Sequence, residues 1–238
     1  MMSLANTASS YGSVAKTLHW LTALLILTLI PLGVVANNMA YELRNAAAPA
    51  DDLLARTAWL FSLHKTLGVA VFFVALARIA WAFTQPKPGL LHPDRKAESL
   101  AAETVHWLLY GSLVLVPLSG WIHHAAASGF APIWWPFGQN LPLVPKSESV
   151  AAAMAGAHWV LTKVLAASLL LHIAGALKHH IIDRDMTLRR MWFGNPDLPR
   201  AEGKHRHAAP ITAALAAWAL ALSGGAAMGV YAPHGADL

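Results

Sequence analysis

Residues 151–182 read AAAMAGAHWVLTKVLAASLLLHIAGALKHHII, an apolar stretch that nevertheless carries His158 and His172. The two lie 14 positions apart (172 − 158). At ~100° per residue they leave a helix within about 40° of one another, and at ~1.5 Å rise they stand roughly 21 Å apart along its axis. A hydrocarbon core is ~30 Å thick, so one helix would hold an imidazole near each side of a bilayer, both pointing the same way. Ionisable groups inside spanning segments are uncommon and face the bundle interior. Neutral imidazole is also a common metal ligand. The helix reads as the shared wall of two metal sites stacked across a membrane, or as two histidines hydrogen-bonded to neighbouring helices.

Composition supports the membrane. Of 238 residues, 56% are hydrophobic and 12% charged, about half the ~25% charged residues of a soluble domain; mean hydropathy is +0.47. The absence of cysteine excludes disulfides, thiolate metal sites, iron–sulfur clusters and covalently attached haem. The net charge of +5 is attributed to membrane orientation rather than nucleic acid. Ten Trp, several flanking apolar runs, read as interfacial anchors. Residues 1–13 are polar and short of base, and no cleavable signal peptide is read there.

In order, the chain gives a polar tail (1–13, with Ser13 as a possible helix cap) and a first apolar segment over about 14–36 containing His19 and Pro31. A polar loop (37–56) leads to a second segment over about 57–83, with His64 early and Arg78 late. A proline-containing charged connector (85–98) precedes the third segment, about 100–127, with His106, Pro117, Gly120, His123 and His124. Residues 128–149 read as an ordered, proline-rich interfacial loop before the fourth segment, and a basic linker (194–207) follows it. An Ala- and Gly-rich fifth run spans about 208–231. Each run is long enough to span at ~20 residues, and lipid leaves no partner for non-helical backbone. The expected fold is an all-α integral membrane protein: a four-helix bundle over 14–193, plus a C-terminal unit (208–238) read as a fifth transmembrane helix, with a peripheral helix or a removable tail as the alternatives.

Lys and Arg set the orientation. Lys16, Arg78, Lys87, Arg95, Lys96, Lys178, Arg184, Arg189, Arg190, Arg200, Lys204 and Arg206 fall on one side; Arg44, Arg56, Lys65, Lys146 and Lys163 fall on the other. The richer side is cytoplasmic by the positive-inside rule, which puts the N-terminus inside. His64 and His158 then share a level near the outer surface, and His19 and His172 share one toward the inner surface.

A pair of histidines from facing helices is how a bundle holds a b-type haem. Zinc fits less well, because it needs three or four protein ligands and each level offers two. Gly68 and Gly175, one turn from His64 and His172, leave room for a flat ligand or for close helix packing. His106 and His124 share a face of the third helix and read as interfacial or substrate-site residues and reserve ligands. Arg78 could pair with a propionate of an inner haem or snorkel to the interface; Lys65 and Lys163 are read as snorkelling. His179 and His180 fall in a charged interfacial patch, and His92, His205, His207 and His234 are expected to be solvent-exposed.

Taken together, Leu18-His19-Trp20-Leu21, His64-Lys65-Thr66-Leu67-Gly68 with Arg78 downstream, Pro117-Leu118-Ser119-Gly120-Trp121, and His158 through His172 to His179-His180 resemble the bacterial cytochrome b561 family, related to the b-type subunits of nickel–iron hydrogenases. The resemblance covers about residues 11–193. It implies a four-helix bundle with two b haems, on His19 with His172 and on His64 with His158. Members of that family pass electrons between membrane quinone and another donor or acceptor, and one type oxidises superoxide and reduces ubiquinone. Residues from about 195 onward extend beyond the pattern.

The resulting expectation is a di-haem electron-transfer protein of the bacterial inner membrane, with lipid and quinone as partners, a redox protein as a further possible partner, and no nucleic acid. Quinone candidates are His106, His179 and His180 inside, and His124 and Lys163 outside. An alternative is the membrane anchor of a dehydrogenase or hydrogenase. A third is a metal transporter, which would want carboxylates centrally placed in the bundle, where the sequence has none.

Overall fold

The computed structural model describes residues 3–46, 50–129, 131–194, 203, 205 and 207–233. The described residues form five long helices: α1 (Ser13–Asn45), α2 (Asp51–Thr84), α3 (Lys96–Ala126), α4 (Glu148–Lys178) and α5 (Ala208–Ala227). All five are long and apolar enough to cross a membrane. There is no strand among the described residues, only an isolated antiparallel bridge between Leu90 and Gly203. The helices carry large apolar side chains on their outer surfaces, among them Leu24, Leu27, Leu170, Leu171 and Leu220, as lipid-facing helices do.

The helices outrun their apolar stretches. Within the polar loop expected over 37–56, α1 continues to Asn45 and α2 already begins at Asp51. Past Ala36 the sequence loses hydropathy but keeps good helix formers, so backbone hydrogen bonding continues in water. Arg44 in the last turn of α1 suits the helix dipole, and Asp52 pairs with Arg56 at 3.3 Å on the first turn of α2. Ser13 does not cap α1. It is the first helical residue, and Gly12 precedes it without a side-chain cap. Ser147 does cap α4, its hydroxyl accepting from the Val150 N–H. After Lys178 the helix widens into a turn over His179–Asp183 and stops at Arg184, which is left-handed (φ 53°). The expected linker over 194–207 lies largely outside the described residues, as does His234.

Helices α1 and α2 pack closely together, as do α3 and α4, with α2 also against α3. Neither α1 nor α2 packs closely on α4, although their histidines face it. A buried apolar cluster of Ile26, Leu29, Val71, Ala75, Leu113, Val116, Leu161 and Leu165 fills the middle of the bundle. In every helix these residues fall between the two histidine levels, so the core forms a plug separating them. Helix α5 lies against α3 and α4. Trp218 covers Gly111 and donates its indole N–H to Ser112 Oγ at 3.2 Å.

Candidate functional site

At the outer level His64 of α2 faces His158 of α4, with ring centroids 6.3 Å apart. At the inner level His19 of α1 faces His172 of α4 at 6.1 Å. These are the two pairs expected from depth. Two imidazoles sharing one metal, each at ~2.0–2.1 Å with ~1.1 Å more to the ring centre, would put centroids about 6.3 Å apart. Both pairs therefore have the spacing that a bis-imidazole metal requires.

The surroundings suit a flat cofactor. A side chain added at Gly68 or Gly175 would meet nothing within 4 Å, so these glycines border open space and are not close-packing contacts. His106 touches the His172 ring at 5.1 Å yet retains much exposed surface, as a residue lining a void does. The residues present fit haem.

His158 is held by its second nitrogen. Nδ1–H donates to the Val116 carbonyl at 2.8 Å, which leaves Nε2 as the free ligand atom. Pro117, inside α3, has no N–H to give the helix, and the Ser119 hydroxyl also donates to the Val116 carbonyl. At the inner level Arg78 turns into the bundle and does not snorkel. Its Nη2 donates to His19 Nδ1 at 3.1 Å, and the guanidinium lies 5.3 Å from the centre of the Tyr110 ring.

Two glycines to which the sequence reading gave no role, Gly33 and Gly120, lie at the outer site. A Cβ at Gly33 would come within 2.8 Å of His64 Cε1, and one at Gly120 within 2.9 Å of His158 Nδ1. The available signal was spacing. His19 to Gly33, His64 to Arg78, His106 to Gly120 and His158 to His172 are each 14 residues (33 − 19, 78 − 64, 120 − 106, 172 − 158). In an antiparallel bundle this interval places Gly33, His64, Gly120 and His158 on one level, and His19, Arg78, His106 and His172 on the other.

The remaining candidates divide. His106 belongs to the inner site itself, not to a headgroup layer. The His124 ring lies against that of His123, centroids 4.5 Å apart and planes tilted by 58°, and His123 donates to the Ala151 carbonyl. Lys65 is buried and does not snorkel; its ammonium donates to the Ala131 carbonyl at 2.6 Å beneath the 128–147 loop. Beside it a cavity of ≈ 330 Å³ is lined by Gly129, Pro132, Ile133, Gly138 and Gln139, and Gln139 Oε1 is buried without a hydrogen bond. Lys163 lies exposed over Trp159, 5.1 Å from the ring centre, as snorkelling requires.

His180 is exposed at the inner rim, whereas His179 is half-buried in a charged network. His92 and His205 are not free in solvent. His92 pairs with Asp185, and His205 bonds to the buried Glu103 and to the Pro88 carbonyl. His207 is exposed as expected. Lys87 stands 3.6 Å from Glu103, and burial pushes its amine down from the ordinary lysine value despite that carboxylate. Burial alone would raise the Asp185 carboxyl, but hydrogen bonds from Thr187, His92 and His179 outweigh it and hold the group at about 2.

Residues 10–194 match the model of prokaryotic cytochrome b561. The chain is 29% identical over 195 residues to cytochrome b561 homolog 2 of Escherichia coli K12, covering 80% of this chain and 95% of that protein. It is 28% identical to cytochrome b561 homolog 1 of the same organism, over 73% and 92% of the two chains. To a probable superoxide oxidase, CybB, of Yersinia pestis it is 25% identical, over 76% and 94%. Helix α5 begins after the family match ends. With four spanning helices inside a match that takes in both histidine pairs, the chain belongs to the prokaryotic cytochrome b561 family of membrane b-type cytochromes.

Proposed function

We propose that the chain carries two b haems stacked across the bacterial inner membrane and passes electrons between them, to or from a membrane quinone. His64 and His158 hold the outer haem; His19 and His172 hold the inner one. The observation that carries this reading is the pair of imidazole pairs at 6.3 and 6.1 Å, set at two levels of one bundle. Haem held by two imidazoles supplies one-electron transfer with no open coordination position. Residues 14–193 form the haem unit, and α5 is an addition to it. The N-terminus is cytoplasmic, by the excess of Lys and Arg on that side.

The protein side chains set the electrostatics of each level. Arg78 places a fixed positive charge beside His19 and is positioned to pair with an acidic substituent of the inner cofactor. The Val116 carbonyl orients His158. Lys65 puts a buried positive charge at the outer level, under the loop cavity. That charge favours an anionic donor arriving from outside, and one relative is described as a probable superoxide oxidase. Superoxide would give up one electron and leave as dioxygen, and a quinone takes two electrons and two protons. Of the quinone candidates, His106 inside and His124 outside lie nearest the two pairs; His179 is engaged in the charged network at the inner rim, and Lys163 and His180 lie on exposed surface.

The test is a redox-titrated absorption spectrum of the purified protein, with quinol and superoxide as trial donors. Two α-band components are expected. His158→Ala should remove one and His172→Ala the other. Absence of an α-band, or retention of both components in either variant, would overturn the reading.

A further inference from the structure

At the inner end of the bundle, apart from both membrane-level sites, His92 of the α2–α3 connector and His179 of the wide turn after α4 lie with their ring planes parallel. Their ring centroids are 6.2 Å apart and their planes within 3°. Both direct a nitrogen at one carboxylate oxygen. His92 Nε2 is 2.9 Å and His179 Nδ1 2.7 Å from Asp185 Oδ2, and the three atoms all lie within 4.8 Å of one another. We propose that this trio binds a divalent transition-metal ion of the zinc class, with His92 Nε2, His179 Nδ1 and Asp185 Oδ2 as ligands.

The donor set selects the ion. Two imidazoles and one carboxylate suit zinc, nickel, cobalt or copper better than magnesium or calcium, which prefer all-oxygen shells. Three protein ligands leave a fourth position for water. At ~2.0–2.1 Å bond lengths a tetrahedral ion spaces its ligands about 3.4 Å apart. Asp185 Oδ2, now 2.9 and 2.7 Å from the two nitrogens, would part from them by about 0.5–0.7 Å, and the nitrogens, which lie within 4.8 Å of each other, would close by at most about 1.4 Å.

The second layer is already in place. His179 Nε2 lies 3.0 Å from Glu98 Oε1, and Lys178 holds the same oxygen at 2.7 Å. A metal-binding histidine anchored through its far nitrogen to a carboxylate is the usual support of such sites. The other Asp185 oxygen accepts the Thr187 N–H at 2.8 Å, which leaves Oδ2 for the ion. Lys178 and Arg95 pair with Glu98 and Asp183. Among the described residues Asp185 has ion pairs only with the two imidazoles, so its charge is available to a cation.

The backbone explains the convergence. The wide turn and left-handed Arg184 return the chain so that the Asp185 N–H donates to the His179 carbonyl at 3.1 Å. A bound ion would clamp the α2–α3 connector to the end of α4.

Full-length, haem-loaded protein in detergent, dialysed against zinc, should retain one zinc per chain whose K-edge absorption reports two imidazoles and oxygen. His92→Phe keeps a ring to stack on His179 but offers no ligand. It and Asp185→Asn should each lose that zinc while the haem spectrum is unchanged. Glu98→Gln should weaken binding about 10- to 100-fold. The proposal fails if wild type binds no zinc, or if His92→Phe binds as much as wild type, which would place the ion on other histidines. His92→Phe decides the matter even if Asp185→Asn does not fold.

Discussion

Substituting Gly120 by Ala tests the outer site without touching a ligand. The added Cβ would lie 2.9 Å from His158 Nδ1 and 3.0 Å from its Cε1, about 0.6 Å inside the ~3.5 Å of comfortable contact. The imidazole cannot yield freely. Its Nδ1–H is bonded to Val116 at 2.8 Å, and its other nitrogen is assigned to iron. Forcing it aside adds an overpacking cost of about 1–3 kcal/mol and weakens a buried hydrogen bond of about 0.5–1.5 kcal/mol. Together they remove about 2–4 kcal/mol of outer-haem binding, or roughly 30- to 1000-fold in affinity. The inner site, roughly 21 Å away along α4, should be unaffected. Haem per chain by pyridine haemochromogen, with a redox titration of the α-band, should show the outer component depleted or displaced in potential and the inner one intact. Two haems with unchanged potentials would refute the placement of His158 against Gly120; loss of the inner component would refute the pairing by level.

Three further outcomes follow from the geometry. Inserting one Ala after Leu165 turns His172 by ~100° relative to His158, so one haem should be lost while the other stays, read by the same α-band titration; retention of both would contradict the rigid shared helix. Asp185 is held at about 2 against ~3.9 in an unfolded chain. A depressed carboxyl stabilises above its unfolded value, and that contribution fades as pH falls through the folded one. The difference in unfolding midpoint between wild type and Asp185→Asn, followed by tryptophan fluorescence, should therefore be constant at neutral pH and shrink between about pH 4 and pH 2. Trp218→Ala removes the cover over Gly111 and the bond to Ser112. Because Trp218 is only half-buried, it should cost at most about 3 kcal/mol, below the full core figure, and lower the thermal midpoint without changing the haem spectrum.

Much of the bundle was readable from one dimension because the relevant signals are periodic. Hydropathy marks the spans, and the 14-residue interval in α4 aligns two imidazoles whatever the neighbours do. Charge bias then sets which ends meet, and the pairs His64–His158 and His19–His172 follow without knowing the packing. Helix ends were less readable, since the sequence at 37–45 stops being apolar before it stops being helical. The orientation of single cations was not readable at all. Lys65 and Arg78 could each reach water by extension. What turns them inward is supplied from distant sequence: the Ala131 carbonyl for Lys65, and His19 with Tyr110 for Arg78.

The glycines make the same point from the other direction. Gly68 and Gly175 were noticed because each lies within a turn of a ligand on its own helix, and they border open space. Gly33 and Gly120 serve ligands on other helices, where they admit the imidazoles of His64 and His158. Their role becomes visible only when the 14-residue interval is read across all four helices at once. So read, the two levels differ in kind. The outer level sets two imidazoles against two glycines, so the rings there are fixed by shape. The inner level sets two imidazoles beside an arginine and a third imidazole, so a fixed charge enters there. An apolar plug of Ile26, Leu29, Val71, Ala75, Leu113, Val116, Leu161 and Leu165 lies between them. Arg78 and the third imidazole, His106, thus stand at one level, and the buried ammonium of Lys65 at the other.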